Sequence, residues 1–170
     1  MVEAIRDARL EDSLAVAALE VAARRAAHTG LVPGNLLDEL CIEDLEACFR
    51  AWLTTPPAGG RFWVLTEEDA IVGFVDAGPA RDADARPDEA ELYGLHVEPG
   101  SWGRGIGTAL FRHAVAALAA AGVRALLVWV LDKNGRACRF CADRGMRRDG
   151  ATREDEIGEQ VRYRVDLPSP

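Results

Sequence analysis

Three glycines at alternate positions, Gly103, Gly105 and Gly107, have the spacing in this sequence that most clearly indicates chemistry. Glycine lets the backbone turn tightly and leaves its N–H groups open to a ligand. Because a predicted helix begins at about Gly105 and helix N-termini attract anions, the segment predicts a site for a phosphate or pyrophosphate group. Arg104 would add positive charge and Thr108 a hydroxyl. A glycine-rich turn that only connects a strand to a helix is the structural alternative.

Two better-known phosphate-binding signatures do not fit these glycines. The dinucleotide fingerprint G-x-G-x-x-G requires a glycine at position 108 or 110, and Thr108 and Leu110 stand there. A P-loop requires Gly-Lys-Ser/Thr, but the residues after Gly105 and Gly107 are Ile106 and Thr108. Both nucleotide-binding classes are therefore excluded.

Four cysteines could bind a metal or act as reactive thiols, and Cys138 and Cys141 have the C-x-x-C spacing. A structural zinc site needs a second close pair of ligands, but Cys41 and Cys48 are separated as two core residues on one helical face would be. We therefore predict buried thiols and no metal. A thiol or zinc protein built on the C-x-x-C pair is a rival hypothesis.

Hydrophobic periodicity and turn residues predict the elements that position these residues. Strands are predicted at residues 4–9, 61–66, 71–77, 91–97, 125–131 and 161–166. Helices are predicted from Asp12 or Ser13 to about 29, from about 35 to 55, from 105 to 121 and from 134 to 144, and the charged stretch 79–89 is predicted to be a loop. In the last strand Arg162, Arg164 and Asp166 alternate with apolar residues, which predicts one solvated face.

Strand 91–97, the glycine helix and strand 125–131 are long enough for a right-handed crossover with the two strands parallel. The sequence Leu95-His96-Val97-x-Pro99, followed by Trp102-Gly103-Arg104-Gly105-Ile106-Gly107-Thr108, resembles the acetyl-CoA-binding motif of the GNAT (GCN5-related N-acetyltransferase) superfamily. The family pattern is Gln/Arg-x-x-Gly-x-Gly/Ala, so Trp102 stands where Gln or Arg is usual. Downstream, Asn134-x-x-Ala137-x-x-Phe140-Cys141-x-x-x-Gly145-Met146 is similar to the family segment Asn-x-x-Ala-x-x-Phe-Tyr-x-x-x-Gly-Phe.

The resemblance implies an α/β (α+β) fold in a single domain over residues 1–170. The expected sheet is mixed and mostly antiparallel, with about six to seven strands, a β-α-β acetyl-CoA-binding core and about four helices. It also implies that the backbone of Leu95, His96 and Val97 runs beside the pantetheine arm and stabilises the oxyanion. Trp102 and the amides of Gly103 to Thr108 would hold the pyrophosphate, and Asn134 would face the arm.

The implied reaction is direct transfer of an acetyl group to a primary amine, which must first lose a proton. Glu91 is the predicted base, because some family members carry their catalytic glutamate at this distance from the glycines, and Asp132 is the reserve. Cys141 stands where many members have the tyrosine that protonates the CoA thiolate. A thiol donor and a buried structural cysteine are both open, and Tyr93, Tyr163 or water would be the substitute donor.

Composition limits the partners. The 170-residue chain has a net charge of −8 and a pI near 4.9, which argues against a nucleic-acid binder and fits a cationic amine. A negative charge that only keeps the protein soluble is the alternative. It has no apolar run of membrane-spanning length and no signal-peptide pattern, so we expect a cytoplasmic protein without membrane contact. The resemblance implies that the loops at about 28–35 and 150–160 form the binding site of the acceptor. A homodimer, and an acetyl-CoA-binding regulator in place of an enzyme, are open alternatives.

Overall fold

The computed structural model describes residues 4–168, which form one seven-stranded sheet flanked by helices. The strands are β1 (Ala4–Asp7), β2 (Arg61–Glu67), β3 (Ala70–Pro79), β4 (Glu89–Val97), β5 (Ala125–Leu131), β6 (Arg147–Asp155) and β7 (Gly158–Asp166). The α-helices are α1 (Ser13–His28), α2 (Gly34–Asp38), α3 (Ile42–Thr54), α4 (Ile106–Ala120) and α5 (Gly135–Ala142), with short 3-10 helices at Leu10–Asp12 and Pro99–Ser101.

The strand order is β1-β2-β3-β4-β5-β7-β6, and β4–β5 is the one parallel pair within the described residues. The predicted mixed, mostly antiparallel α/β fold with a β-α-β core is therefore confirmed. The connection 150–160, predicted as a loop, is mostly the hairpin formed by β6 and β7.

The predicted helix from 35 to 55 is wrong, because the chain forms α2 and α3 with a break between them. Cys41 has an extended backbone, with φ −111° and ψ 127°, and precedes the first residue of α3. The Arg25 side chain donates to the carbonyl oxygens of Leu37 at 3.2 Å and Leu40 at 3.1 Å. A side chain from α1 thus satisfies two carbonyls that the end of α2 leaves exposed at the break.

The sheet buries both of its faces. On one face, called here the α4 face, Val75 of β3 packs with Ile106 and Leu110 of α4. On the opposite α1 face, Phe74 of β3 packs with Val16 of α1 and with other residues of that layer. Successive β3 side chains thus alternate between two helical layers, as a strand period of two requires.

Strands β4 and β5 pair over only three positions, from Glu89 opposite Ala125 to Glu91 opposite Leu127. Beyond Glu91 the two strands separate, because β4 continues along β3 and β5 continues along β7. A bulge in β4 leaves Tyr93 without a partner, since Asp76 lies opposite Gly94 and Ala77 opposite Leu92. The separation opens a gap in the sheet beside the start of α4.

The predicted solvated face of β7 is wrong at Arg162, which is only 8% exposed. Its guanidinium pairs with Asp82 at 3.0 Å, Asp84 at 2.7 Å and Asp149 at 2.7 Å. Asp82 also accepts a hydrogen bond from the indole of Trp129 at 3.0 Å. These contacts hold the 80–88 loop against the sheet.

The prediction of four buried thiols is also wrong, because Cys48 is exposed and Cys41 and Cys138 are partly exposed. Cys141 is the buried one. None of the helices within residues 4–168 has the length and apolar character of a membrane span.

Candidate active site

A cleft of about 660 Å³ opens where β4 and β5 separate. Its walls come from α1, from β4 and β5, from the glycine turn before α4, and from α5. This volume is ordinary for a site that binds a small molecule. It brings together the two sequence segments on which the family resemblance rests.

The glycines of the turn have distinct structural roles. Gly103 and Gly105 adopt left-handed backbone conformations, with φ +80° and +87°, which other residues rarely adopt. Gly107 lies within α4, and a Cβ there would come within 3.2 Å of the Phe140 ring and 3.5 Å of a Leu95 methyl group. The three glycines line the cleft together with Ile106 and Thr108. The turn therefore presents its backbone to the cleft from the N-terminus of α4.

Trp102 connects the turn to the end of β4. Its indole N–H donates to the carbonyl oxygen of Val97 at 2.7 Å, and the Arg136 guanidinium lies 3.3 Å from the centre of its ring. Both side chains line the cleft. The tryptophan thus holds a cation at the position where the family usually has Gln or Arg.

Arg104 does not supply the charge that the sequence suggested. It forms a two-pronged ion pair with Glu67, at 2.7 and 3.0 Å, and is not among the described residues that line the cleft. Arg144, which the sequence did not single out, lines the cleft and donates to the Thr108 hydroxyl. Its guanidinium lies 3.4 Å over the Phe140 ring. Arg136 and Arg144 are therefore the cations of the cleft at the glycine turn.

The backbone of β4 faces the gap in an alternating pattern. The Glu98 N–H donates to the Val72 carbonyl at 2.9 Å, so the pairs at Leu95–Val75 and Val97–Gly73 are the non-hydrogen-bonded ones. The N–H groups of Leu95 and Val97 therefore point away from β3 and toward the gap. Leu95, His96 and Val97 all line the cleft, as does Asn134. The Asn134 side chain also caps α5 by accepting from the Ala137 N–H at 3.1 Å.

Cys141 lies on the cleft wall and is 4% exposed. Burial, with a smaller contribution from Cys138, raises the pKa of its thiol to about 12. The sulfur therefore keeps its proton at neutral pH, and proton donation to a more acidic thiolate is unfavourable.

Glu91 is buried at the base of the gap and is 2% exposed. It accepts hydrogen bonds from Arg81 at 2.6 and 3.1 Å, and it is not among the described residues that line the cleft. The same guanidinium lies 4.1 Å from the centre of the Tyr93 ring, and the Tyr93 hydroxyl donates to the Pro79 carbonyl at 2.7 Å. Tyr93 lines the cleft. The structure thus joins Glu91 and Tyr93 through Arg81, with Glu91 set behind the cleft wall.

Histidines and an arginine line the α1 side of the cleft. His96 packs on Phe74 with ring centres 5.2 Å apart, and burial, then Arg24 and His28, lower its pKa to about 3. Burial and Arg24 also lower the pKa of His28. Both rings are therefore neutral. The reserve base, Asp132, forms an ion pair with Arg148 at 2.7 Å, and it is not among the described residues of the cleft wall.

Metal ligands do not cluster in the described part of the chain: residues 4–168 contain no group of three or more His, Cys, Asp or Glu side chains placed to hold a metal ion. Cys138, the first residue of the C-x-x-C pair, instead approaches the carbonyl oxygen of Asp132 at 3.7 Å and an Arg148 nitrogen at 3.9 Å.

Sequence comparisons identify similar proteins. A model of the Acetyltransferase (GNAT) family matches residues 15–146. The uncharacterized N-acetyltransferase YuaI of Bacillus subtilis (strain 168) is 26% identical over 130 residues, which cover 76% of this chain and 72% of that protein. Phosphinothricin N-acetyltransferase of Streptomyces coelicolor is 31% identical over 109 residues, which cover 62% of this chain and 63% of that protein.

A solved structure shares the fold. The PaiA N-acetyltransferase of Thermoplasma acidophilum, in complex with coenzyme A, aligns with a TM-score of 0.81 over 97% of this chain and 100% of that chain, at 15% identity. At this identity the likeness shows the fold alone, whereas the family model covers well over half of the chain. The chain therefore belongs to the GNAT family of acetyltransferases, acyltransferases that use acetyl-CoA as their co-substrate.

Proposed function

We propose that this protein transfers the acetyl group of acetyl-CoA to a primary amine of a small molecule or peptide by direct attack within a ternary complex. One observation carries the proposal: the glycine turn and the unpaired edge of β4 line the same cleft. The turn suits an anionic group and the β4 edge suits a carbonyl oxygen, and a thioester of coenzyme A has both.

Two features of the chain fit coenzyme A. The absence of a side chain at Gly107 lets the N-terminus of α4 lie close to Phe140 and to Leu95 at the β4 edge. The buried Nε of Arg144 has no hydrogen-bond partner within the described residues, and the guanidinium stands beside Thr108 at the turn. We infer that the amides of Gly103 to Thr108 hold the pyrophosphate, with Arg136 and Arg144 adding charge.

The Leu95 N–H is the proposed donor to the thioester oxygen. It faces the gap at the point where β4 has left β5, and its position is fixed by pairing with β3. A donor that is already oriented stabilises the charge that develops on this oxygen without reorganisation. Acetyl-CoA supplies the activated acyl group, and the chain orients it.

The leaving thiolate must receive a proton, and two side chains of the cleft wall are poor donors. The raised pKa of Cys141 does not favour this residue as the donor, and the Tyr93 hydroxyl already donates to Pro79. Water that enters the open cleft is therefore the proposed donor. These observations also favour the second candidate function, an acetyl-CoA-binding regulator with weak or no turnover.

Release of free CoA from acetyl-CoA across a panel of amines, amino acids, polyamines and peptides separates the two functions. Turnover of any amine supports the enzyme, whereas tight acetyl-CoA binding without turnover supports the regulator. The overall charge of −8 favours a cationic acceptor, and an anionic best substrate would contradict this steering. Cytoplasmic location, a homodimer and a single domain over residues 1–170 stay predictions.

Two glycine variants test the cofactor site itself. Gly107→Val places a branched side chain against Phe140, so we expect the Kd of acetyl-CoA to rise at least about tenfold. Gly100→Ala is the matched control, because a Cβ there meets nothing within 4 Å. Equal affinities of the two variants, measured by calorimetry, would remove the glycine turn from the proposed site.

A further inference from the structure

A carboxyl group lies buried on the α1 face of the sheet, directly behind the cleft. Asp76 of β3 is 8% exposed and stands opposite Gly94 in the pairing of β3 with β4. Burial, then the charges of Glu20 of α1 and Glu91 of β4, raise the pKa of Asp76, so both carboxylates lie near it. Three acidic side chains thus meet in the layer between the sheet and α1.

The two arginines of this layer form ion pairs with the other two carboxylates. Arg24 pairs with Glu20 at 3.2 Å, and Arg81 pairs with Glu91 at 2.6 Å. None of the ion pairs within residues 4–168 includes Asp76. A buried carboxylate without a cationic partner is costly, so Asp76 must either hold a proton or meet a positive charge from outside the chain.

Gly94 lies between Asp76 and the cleft, although Asp76 is not among the described residues that line the cleft. Gly94 lines the cleft, and a Cβ on it would lie 2.8 Å from the Asp76 Oδ1 atom. The same Cβ would lie 3.5 Å from the Nε2 atom of His96, which also lines the cleft. The missing side chain therefore lets the carboxyl and the imidazole both lie close to one backbone position of the cleft wall. This point adjoins the bulge at Tyr93, where β4 leaves β5.

We propose that Asp76 is the proton acceptor for the attacking amine, reached from the cleft through the space that Gly94 leaves beside His96. The inference rests on the proposed acetyl transfer. The ammonium form of the substrate gives one proton to the Asp76 carboxylate, which frees the nitrogen lone pair. The nitrogen–carbon bond then forms as the carbon–sulfur bond breaks. The second proton of the nitrogen passes to the thiolate through water, and Asp76 returns its proton to solvent.

The titration of the surrounding groups agrees with this geometry. Burial, then Glu20, raise the pKa of Asp76 to about 8, and Arg81 opposes the shift. Such a group is ionised and able to accept a proton at and above about pH 8, and a general base is most effective when its pKa lies near the working pH. The other groups that face this layer are Glu20, Arg24 and His28 of α1, Arg81 of the 80–88 loop, and Glu91, Tyr93 and His96 of β4. The lowered pKa of His96 keeps its ring neutral, so it orients the amine and does not take the proton.

The test uses the wild type and the variants Asp76→Asn, Glu91→Gln and Gly94→Ala, with the best amine from the panel. Asp76→Asn should lower kcat at least about a hundredfold and remove the limb of the pH–rate profile near pH 8, while the Kd of acetyl-CoA changes less than about twofold. Gly94→Ala keeps the carboxyl but fills the space in front of it, so kcat should fall at least about tenfold. Glu91→Gln should keep the pH limb.

Each failure has its own signature. A wild type that turns over amines, with an unchanged limb in Asp76→Asn, overturns the role of Asp76 and leaves the proposed function standing. A wild type without turnover of any amine overturns both. If Asp76→Asn does not fold, Gly94→Ala is the variant that tests the proposal. Full activity in Gly94→Ala then overturns it. If the limb near pH 8 is lost in Glu91→Gln but kept in Asp76→Asn, Glu91 is the proton acceptor.

Discussion

The Arg136 guanidinium lies 3.3 Å from the centre of the Trp102 indole ring, and both side chains line the cleft. The indole is itself fixed by its hydrogen bond to the Val97 carbonyl, so the cation is held beside the end of β4. Burial lowers the pKa of Arg136, and an anion at the cleft would offset that cost. Trp102, which stands where the family usually has Gln or Arg, thus contacts a cation that α5 supplies.

Arg136→Ala should raise the Kd of acetyl-CoA about tenfold, because it removes a charge-assisted contact to the phosphate groups. Arg104→Ala is the matched control, since Arg104 is paired with Glu67 and points out of the cleft; its Kd should change less than about twofold. Isothermal calorimetry at one fixed salt concentration measures both. A larger effect at Arg104 than at Arg136 would contradict the assignment of the cations.

Cys141→Ala should leave acetyl-CoA binding intact and lower kcat no more than about threefold. The thiol is buried and its pKa is raised to about 12, so it acts as a small apolar side chain on the cleft wall. Steady-state kinetics with a calorimetric Kd test this. Complete loss of activity with normal binding would show that the sulfur takes part in the reaction.

Arg162→Ala should lower the free energy of unfolding by about 2 to 4 kcal/mol, because Asp82 and Asp149 lose their cation while they stay mostly buried. Arg50→Ala is the control, because its pair with Glu46 is exposed and 4.0 Å long, and it should change stability by less than about 0.5 kcal/mol. Urea unfolding measures both. Since Arg162 holds the 80–88 loop, equal stabilities would mean that the loop is held by other contacts.

Asp76 also predicts a pH dependence of stability. Its pKa in the folded protein is raised from 3.8 to about 8, so between these values the folded state keeps a proton that the unfolded chain has released. The contribution of Asp76 to stability therefore falls as pH rises through this window, by on the order of 1 kcal/mol per pH unit at most, and is level above it. Asp76→Asn lacks this dependence.

The difference in Tm between Asp76→Asn and the wild type should accordingly shift in favour of the variant from pH 5 to pH 8.5. Asp132→Asn provides the comparison, because Asp132 is an exposed carboxylate paired with Arg148. The same difference at both pH values for Asp76→Asn would place the pKa of Asp76 in its ordinary range. This measurement needs neither substrate nor acetyl-CoA.

The sequence by itself determined the fold and the glycine turn at which we propose that the cofactor binds. The left-handed turn at Gly103 and Gly105 requires glycine locally, and the apolar run of β5 and the helix that follows the turn are readable from residue type and spacing. The break between α2 and α3 was not readable, because Arg25 stabilises it from another helix. One usable signal was missed: Asp76 is an isolated acid in the apolar strand 71–77, and a buried polar residue is more informative than an exposed apolar one.

Only the tertiary structure decided which charged groups serve the site. Arg104 adjoins the glycines in sequence but pairs with Glu67, whereas Arg144, far along the chain, reaches Thr108. Glu91 stands at the family's spacing, yet Arg81 occupies it and leaves Asp76 without an ion-pair partner within residues 4–168. The physical reason is that the two kinds of feature depend on interactions of different range along the sequence. Backbone conformation is set by neighbouring residues, whereas the partner and the pKa of a charged side chain depend on groups that only the fold brings together.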